Sequence, residues 1–502
     1  MEIIYNVLSV IYYAVTLGDK IDMKNEFSKF NISEEILKAV DGLGYKKPSE
    51  VQEKVIPEII LNKDVIVKSQ TGSGKTAAFA IPICEKVDWN ENAPQVLVLS
   101  PTRELAVQVS EDFVNIGRFK RIKSVAVFGK QPISDQARAL KQKTHVVCGT
   151  PGRVLDHIDR GSLDVKKIKY FVIDEADEML NMGFIGQVEG VIRRLPKKKV
   201  TTLFSATISD EIRTLCEKYM DRPVDISIEK QKVVNDNIEH GLYYVDYNER
   251  FKLLNELLIC EKPETAVIFG RTKENVDEIY NFLKSKGYSC GRIHGGMLQK
   301  ERLSAMDSFR KGEFRILSAT DVAARGIDIE NITHVINFEL PVEKEAYVHR
   351  IGRSGRAGKS GKAISICSKQ GDRYLKNIEE YIGFEIPVKE HFTKEFISEN
   401  LKSGISYLKS KPKKKTEKAK AINNDITKIY LNGGKKKKIR PGDIVGAISR
   451  IDGLTGDDIG IIDVQDNISY VDILNGKGKK VLDALKNITI KGKKLKCDRA
   501  KK

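Results

Sequence analysis

Short apolar runs recur along the chain, and each breaks directly into a polar or glycine-rich segment. In the first half these are "DVIVKSQTGSGKT", "VLVLSPTREL", "HVVCGTPGR", "YFVIDEAD" and "TTLFSAT". In the second half they are "TAVIFGRTK", "RILSATDVAARGID" and "HVINFELP". Between them lie stretches such as "SEEILKAVDGL" and "ENVDEIYNFLKSKG", whose apolar residues recur at helical spacing. Continuous apolar strands alternating with amphipathic helices predict parallel sheets covered on both faces. Ligands of such sheets sit at the carboxyl ends of the strands, which is where the polar signatures fall.

The pattern runs twice, over 23–225 and 240–372, with a less patterned connector at 226–239. Two α/β units in tandem leave a cleft between them. After Gln370 comes an amphipathic segment, and residues 373–421 read as a connector ending in the lysine-rich "LKSKPKKKTEKAK" (Leu408 to Lys420), whose composition is that of a solvated linker. A compact segment resumes over 422–502. At the other end, "IIYNVLSVIYYAVTL" is apolar but short for a membrane span and lacks a cleavage signal, so no membrane role is expected. Residues 1–22 read as an extension ahead of a start at Met23.

Charge narrows the class of partner. With 86 Lys and Arg against 69 Asp and Glu, the net charge is +17 over 502 residues, which points to a polyanionic partner, nucleic acid or an acidic membrane surface. The seven cysteines are scattered without metal or redox spacing, as expected for reduced thiols in a cytoplasmic protein. No metal is expected beyond one brought by a nucleotide.

"SQTGSGKT" follows a strand and opens a helix, the context of a phosphate-binding loop. Ser69, Gln70, Thr71, Gly72, Ser73 and Gly74 would wrap the phosphates, Lys75 would reach the terminal ones, and Thr76 would hold Mg²⁺. Ser69 stands where the common pattern has its first glycine. Given such a loop, the acids in "YFVIDEADEML" gain a use, since a nucleotide-bound Mg²⁺ needs a carboxylate at a neighbouring strand end. Asp174 takes that place, Glu175 is set to polarise a water as general base, and Asp177 links the site to its surroundings. Glu178 reads as a solvated charge on the first helical turn.

Asp174, Glu175, Ala176 and Asp177 spell DEAD, and residues 25–370 resemble the DEAD-box RNA helicases, with the family's signatures in their usual order. The resemblance implies two RecA-like domains, ATP as the nucleotide and RNA as the partner. By it, Gln52 of "GYKKPSEVQ" reads the adenine edge and Phe27 stacks on the base; either residue alone would read as an ordinary surface amide or core aromatic. Pro101, Thr102 and Arg103, then Thr150, Gly152 and Arg153, with Arg271 and Thr320, resemble the motifs that contact the RNA backbone. Ser205 and Thr207 of "SAT" resemble the segment coupling hydrolysis to strand separation. In "HRIGRSGR", Arg353 and Arg356 would be arginine fingers, and Asp328 would hold the ribose. Such a finger is worth roughly 10³–10⁵ in rate. Where many members have a glycine pair, this chain has Gly129 followed by Lys130.

The tail fits a β-α-β-β-α-β order, that of a small α+β RNA recognition motif. Tyr430 and Tyr470 fall near base-stacking positions, with packing in a strand as an equal alternative, and Ile468 replaces an expected aromatic. "NGGKKKKIRPGDIVGAI" with "IKGKKLK" resembles the C-terminal domain of the DbpA subfamily. That resemblance implies binding to a hairpin of large-subunit ribosomal RNA during ribosome assembly, with Lys435, Lys436, Lys437, Lys438 and Arg440 on phosphates. A general RNA chaperone in cold or stress responses, or an ATP-gated RNA clamp, remain alternatives.

Overall fold

The computed structural model describes residues 25–69, 72–228, 234, 237–324, 332–355, 360–368, 371–412 and 425–500. Two parallel sheets and one small antiparallel sheet carry the chain, as the alternation of apolar strands and amphipathic helices implies.

The first sheet holds β1 (Val65–Lys68), β2 (Val96–Leu99), β3 (Ser124–Val127), β4 (Val146–Gly149), β5 (Tyr170–Ile173), β6 (Val200–Ser205) and β7 (Val224–Ser227). Their order is β3-β4-β2-β5-β6-β1-β7, all parallel. β2, β4, β5 and β6 are buried on every residue, which is why they read as unbroken apolar runs. β1 lies beside β6, and β5 flanks β6 on its other side, so the ends of β1, β5 and β6 open on one spot. Ser69 follows β1, Asp174 follows β5, and Ala206 and Thr207 follow β6.

The second sheet repeats the plan with β8 (Ile238–Tyr244), β9 (Ala266–Phe269), β10 (Cys290–Ile293), β11 (Ile316–Ala319), β12 (His334–Asn337) and β13 (Gly361–Cys367). The order is β10-β11-β9-β12-β13-β8. The third sheet, β15-β16-β14-β17, comprises β14 (Thr427–Leu431), β15 (Ile459–Val464), β16 (Ser469–Ile473) and β17 (Cys497–Arg499). Helices Pro441–Ile448 and Gly478–Leu485 cover one face, giving the β-α-β-β-α-β fold of an RNA recognition motif. No described helix is long and apolar enough to cross a membrane.

The connector expected from residue 373 requires correction. Helix Asp372–Ile382 packs on the second sheet, and Val388 bridges to Leu242 on the edge strand β8. Helix Lys394–Lys409 then lies along helix Arg250–Glu261. Leu408, expected to begin a solvated linker, is fully buried among Leu254, Leu258 and Leu283. Burying a leucine stabilises by about 1.5–3 kcal/mol, enough to hold the helix down against its lysine neighbours. The lysine run misled because the apolar residues it follows are widely spaced.

Gly404 permits that close approach: a Cβ there would lie 2.5 Å from the Ile259 carbonyl oxygen. Alanine would add about 1 kcal/mol of helix propensity. Overpacking against backbone typically costs about 1–3 kcal/mol, so the clash is expected to win. Gly404→Ala should lower the melting midpoint of the second domain by several degrees in calorimetry, whereas Ser403→Ala should leave it unchanged.

Candidate functional site: a nucleotide cleft and an RNA face

The loop after β1 is tied to two neighbours. The Ser69 amide donates to the Ser205 carbonyl at 2.9 Å, and the Ser69 and Ser73 hydroxyls lie 2.7 Å apart. That second bond gives Ser69 a use where glycine is more common. Gly72 and Gly74 have φ of 83° and 93°, and a Cβ on Gly74 would sit 2.6 Å from Gln52 Nε2. Helix Lys75–Lys86 starts at once, with Lys75 itself 7% exposed, so its amide ends and one ammonium converge on the loop. Gln70 and Thr71 lie outside the described residues.

Gln52 and Ser49 brace this loop. Gln52 Nε2 donates to the Gly74 carbonyl (3.2 Å), its Oε1 accepts from the Ser49 amide (2.9 Å), and the Ser49 hydroxyl donates to the Ser73 carbonyl (2.8 Å). Phe27 requires correction. Its ring is 0% exposed, edge-on to Phe30 at 6.0 Å within the first domain's core, and offers no open face to a base in this structure. A lone phenylalanine in an amphipathic segment carries the same sequence signal for either role.

β5 ends in four carboxylates, and all are buried: Asp174 is 3% exposed, Glu175 7%, Asp177 7% and Glu178 4%. Glu175 sits in the left-handed region (φ 54°, ψ 56°), a conformation costing about 1–2 kcal/mol for a residue with a Cβ. That turn lets the strand pass into helix Ala176–Asn181 without an intervening loop, so each acid points a different way. Asp177 reaches β6: its Oδ2 accepts from the amides of Ala206 (3.0 Å) and Thr207 (3.1 Å), while its own amide donates to the Ser205 hydroxyl (3.1 Å). The Ser205 hydroxyl in turn donates to the Thr207 carbonyl at 2.6 Å.

Asp174 is the unusual member. Burial raises its carboxyl well above the usual carboxylate range, and the nearby Lys75 only partly offsets this. Its Oδ1 is buried without a hydrogen-bond partner. A buried carboxylate oxygen with a free lone pair, near Lys75 of the phosphate-binding loop, fits a hard divalent cation. Among the described residues no cluster of protein groups alone could hold a metal, so a nucleotide would have to supply the remaining oxygens.

Glu178 corrects the expectation of a solvated charge. Its Oε1 lies 2.9 Å from Nδ1 of His349, which belongs to the second domain. His349 opens the arginine-rich segment at the end of helix Lys344–Ile351. Arg350 is 2% exposed and anchors that segment, binding Asp321 through two nitrogens (2.5 and 2.7 Å), Asn337 Oδ1 (3.0 Å) and the Glu339 carbonyl (2.7 Å). Arg353, one turn on, is 6% exposed and donates to the His349 carbonyl at 3.2 Å. Arg356 and Asp328 lie outside the described residues.

A second cleft of about 270 Å³ is lined by Pro101, Thr102, Arg103, Thr150, Gly152 and Arg153, together with Arg302 of the second domain. Arg103 donates to Gln299 (2.8 Å), and Glu104 receives Gln299 (2.9 Å) and Arg302 (3.0 Å). Arg153 donates to the Gln131 carbonyl and to Gln136, both at 3.0 Å. Lys130 has φ of 59°, so this chain keeps the backbone shape that suits glycine there. Across the cleft, Arg271 follows β9 and Thr320 follows β11, adjacent strands in register at Phe269 and Ala319. The Arg271 amide donates to Glu339 at 3.0 Å.

On the tail sheet, Tyr430 and Tyr470 are register partners, half-buried, with ring centroids 5.9 Å apart. Lys435–Lys437 form a single turn, and Lys438 follows in the left-handed region. Two lysines of "IKGKKLK" join them: Lys491 Nζ donates to the Lys438 carbonyl (2.9 Å) and Lys493 Nζ to the Lys437 carbonyl (2.7 Å). Arg440 stands just beyond, ahead of helix Pro441–Ile448.

Known proteins bear on both halves and on the tail. The DEAD/DEAH box helicase family matches residues 49–215, the helicase conserved C-terminal domain 249–358, and the DbpA RNA binding domain 428–499. The chain is 54% identical to the ATP-dependent RNA helicase DbpA of Bacillus subtilis, over 95% of this chain and all of that one. It is 46% identical to the DEAD-box ATP-dependent RNA helicase CshA of Geobacillus kaustophilus, over 70% of this chain and 76% of that one. The structure of S. cerevisiae Dbp5 bound to RNA and ADP BeF3 is similar at 33% identity and a TM-score of 0.67, covering 76% of this chain and all of that one. The chain therefore belongs to the DEAD-box ATP-dependent RNA helicases and is DbpA-like through its RNA-binding tail: an enzyme that uses ATP and binds RNA.

Glu104, Gln299, Arg302, Glu178 and His349 carried no assigned role in the sequence. Their partners are distant in sequence, so no local pattern marks their pairing. His349–Glu178 links the two domains at the nucleotide site, and its loss should cost turnover more than affinity. Glu178→Ala is expected to lower RNA-stimulated kcat roughly tenfold, the effect of leaving one buried partner unsatisfied, with KM for ATP changed less. Steady-state ATPase assays check this; an unchanged kcat would show that the contact is not used in turnover.

Proposed function

We propose that this helicase works on large-subunit ribosomal RNA, its tail holding a hairpin while its two-domain core locally separates short duplexes during ribosome assembly. The supporting observation is the lysine corner of the tail, where Lys435 to Lys438 are joined by Lys491 and Lys493 on a domain of the DbpA type. Six ammonium groups around one turn suit a folded RNA strand and release counterions when they meet phosphates. Tyr430 and Tyr470 would stack bases beside them. A cytoplasmic location is consistent with seven free cysteines.

In the core, the loop from Ser69 to Thr76 cradles the phosphates of ATP, and Lys75 meets the terminal ones. Thr76 and Asp174 would hold Mg²⁺, which when bound neutralises charge between the terminal phosphates. Gln52, already bonded to the loop backbone, reads adenine, and Asp328 holds the ribose. Glu175, set in its left-handed turn, orients and deprotonates the attacking water. Arg353 and Arg356 act as fingers from the second domain. Because they are carried on the other side of the cleft, hydrolysis waits for the domains to meet. Arg103, Arg153, Arg271 and Thr320 line the RNA path, and Asp177 passes the nucleotide state to Ser205 and Thr207. Contacts of this kind go to the RNA backbone, so sequence choice rests with the tail.

Glu175→Gln should bind ATP as the natural enzyme does and lose turnover, as read by a fluorescent nucleotide titration beside an ATPase assay; normal hydrolysis would refute the base assignment. For the substrate, ATPase stimulation by a large-subunit rRNA fragment carrying the peptidyl-transferase-region hairpin is expected at far lower concentration than by an unstructured RNA. Equal stimulation would instead place the protein among general RNA remodellers.

A further inference from the structure

The tail domain rests against the first domain through residues that neither the nucleotide cleft nor the RNA face uses. Arg121 Nε donates to the Ile459 carbonyl at 2.7 Å, and a second guanidinium nitrogen donates to the carbonyl of Gly456. Lys123 Nζ meets Asp463 Oδ1 at 2.9 Å, with both side chains about a quarter exposed. Asp472, 4% exposed, lies within electrostatic reach of Arg118. Lys38 donates to Asn475 at 3.0 Å. Leu43 and Phe119 of the first domain pack on Ile426 and Leu474 of the tail.

The charges are sorted. The first domain contributes Lys38, Arg118, Arg121 and Lys123, while a strongly basic tail turns its acids Asp463 and Asp472 toward them. Arg121 adopts φ of 57°, placing a left-handed turn where the chain leaves helix Arg103–Ile116 for β3. That turn brings basic side chains on both sides of it to one corner.

We propose that this corner of the first domain, built from Phe119, Arg121 and Lys123, is a docking site for the chain's own tail domain. The corner grips the edge strand β15 and one end of the tail sheet. The contacts run along β15 from Ile459 to Asp463 and take in the start of β14 and the end of β16. The lysine corner follows the end of β14, beside the β15–β16 hairpin to which the Lys435 and Lys436 amides bond. Docking on Asp463 therefore reaches toward the lysine end of the edge strand. It also sets the first domain beside the stacking row, because Asp463 is the register partner of Tyr470, itself paired with Tyr430.

Solution scattering on the full-length protein tests this with Lys123→Asp, Asp463→Lys and the two together. None of these residues belongs to the nucleotide site, so basal ATPase should stay unchanged in all three and report intact folding. The natural protein is expected to be compact, and each single reversal to raise the radius of gyration by roughly a tenth of a compact value near ~23 Å. The double swap should restore the compact value. An extended natural protein, single variants as compact as it, or a double swap that stays extended would each overturn the proposal.

Discussion

Four carboxylates leave the end of β5 within five residues, and none is more than 7% exposed. Uncompensated, such a group of buried charges would cost more than the domain's whole margin of stability. The surrounding architecture distributes them. Asp177 is met by two backbone amides from the end of β6, Asp174 by the charge of Lys75, and Glu178 by a histidine from the other domain. Asp174 keeps one buried oxygen, Oδ1, without a hydrogen-bond partner. The strained turn at Glu175 makes this division possible, because a regular helix start would crowd the same side chains together. The position of β5 beside β6, and the contact of the two domains at His349, both serve to satisfy that cluster.

Much of this was legible from the chain. Fully buried strands write themselves as unbroken apolar runs, and the phosphate loop, the acids and the arginine segment each occupy a contiguous stretch. The proximity of Asp177 to Ser205 and Thr207 could be anticipated because both lie at strand ends of one sheet. Contacts that span domains could not. Gln299 and Arg302 look like surface polar residues of an amphipathic helix until Glu104 is placed against them. Glu178 reads as a solvated acid until His349 arrives. Phe27 shows the converse limit, since burial and base stacking call for the same side chain and only packing separates them.

The lysine-rich region illustrates how composition hides structure. Leu408 and Gly404 lie at the edge of a run that looks like a tether, yet one fills the second domain's core and the other lets the helix approach the Ile259 carbonyl. In the tail the same lysine-heavy composition conceals two surfaces. Ammonium groups from separate segments gather around one turn, while the carboxylates Asp463 and Asp472, which the overall charge outweighs, face the first domain.

The anchoring of Leu408 in the second domain has a consequence for how the core meets its RNA. Ile426 packs against the first domain, only eighteen residues further along the chain. That length of backbone reaches at most ~60 Å when fully drawn out. An RNA held by the tail is therefore confined to a small volume around the core, equivalent to an effective concentration on the order of a millimolar. At such a concentration the core needs little affinity of its own. A duplex that it would scarcely bind from free solution is presented to it continually, so weak, sequence-blind backbone contacts suffice for repeated rounds of capture and release.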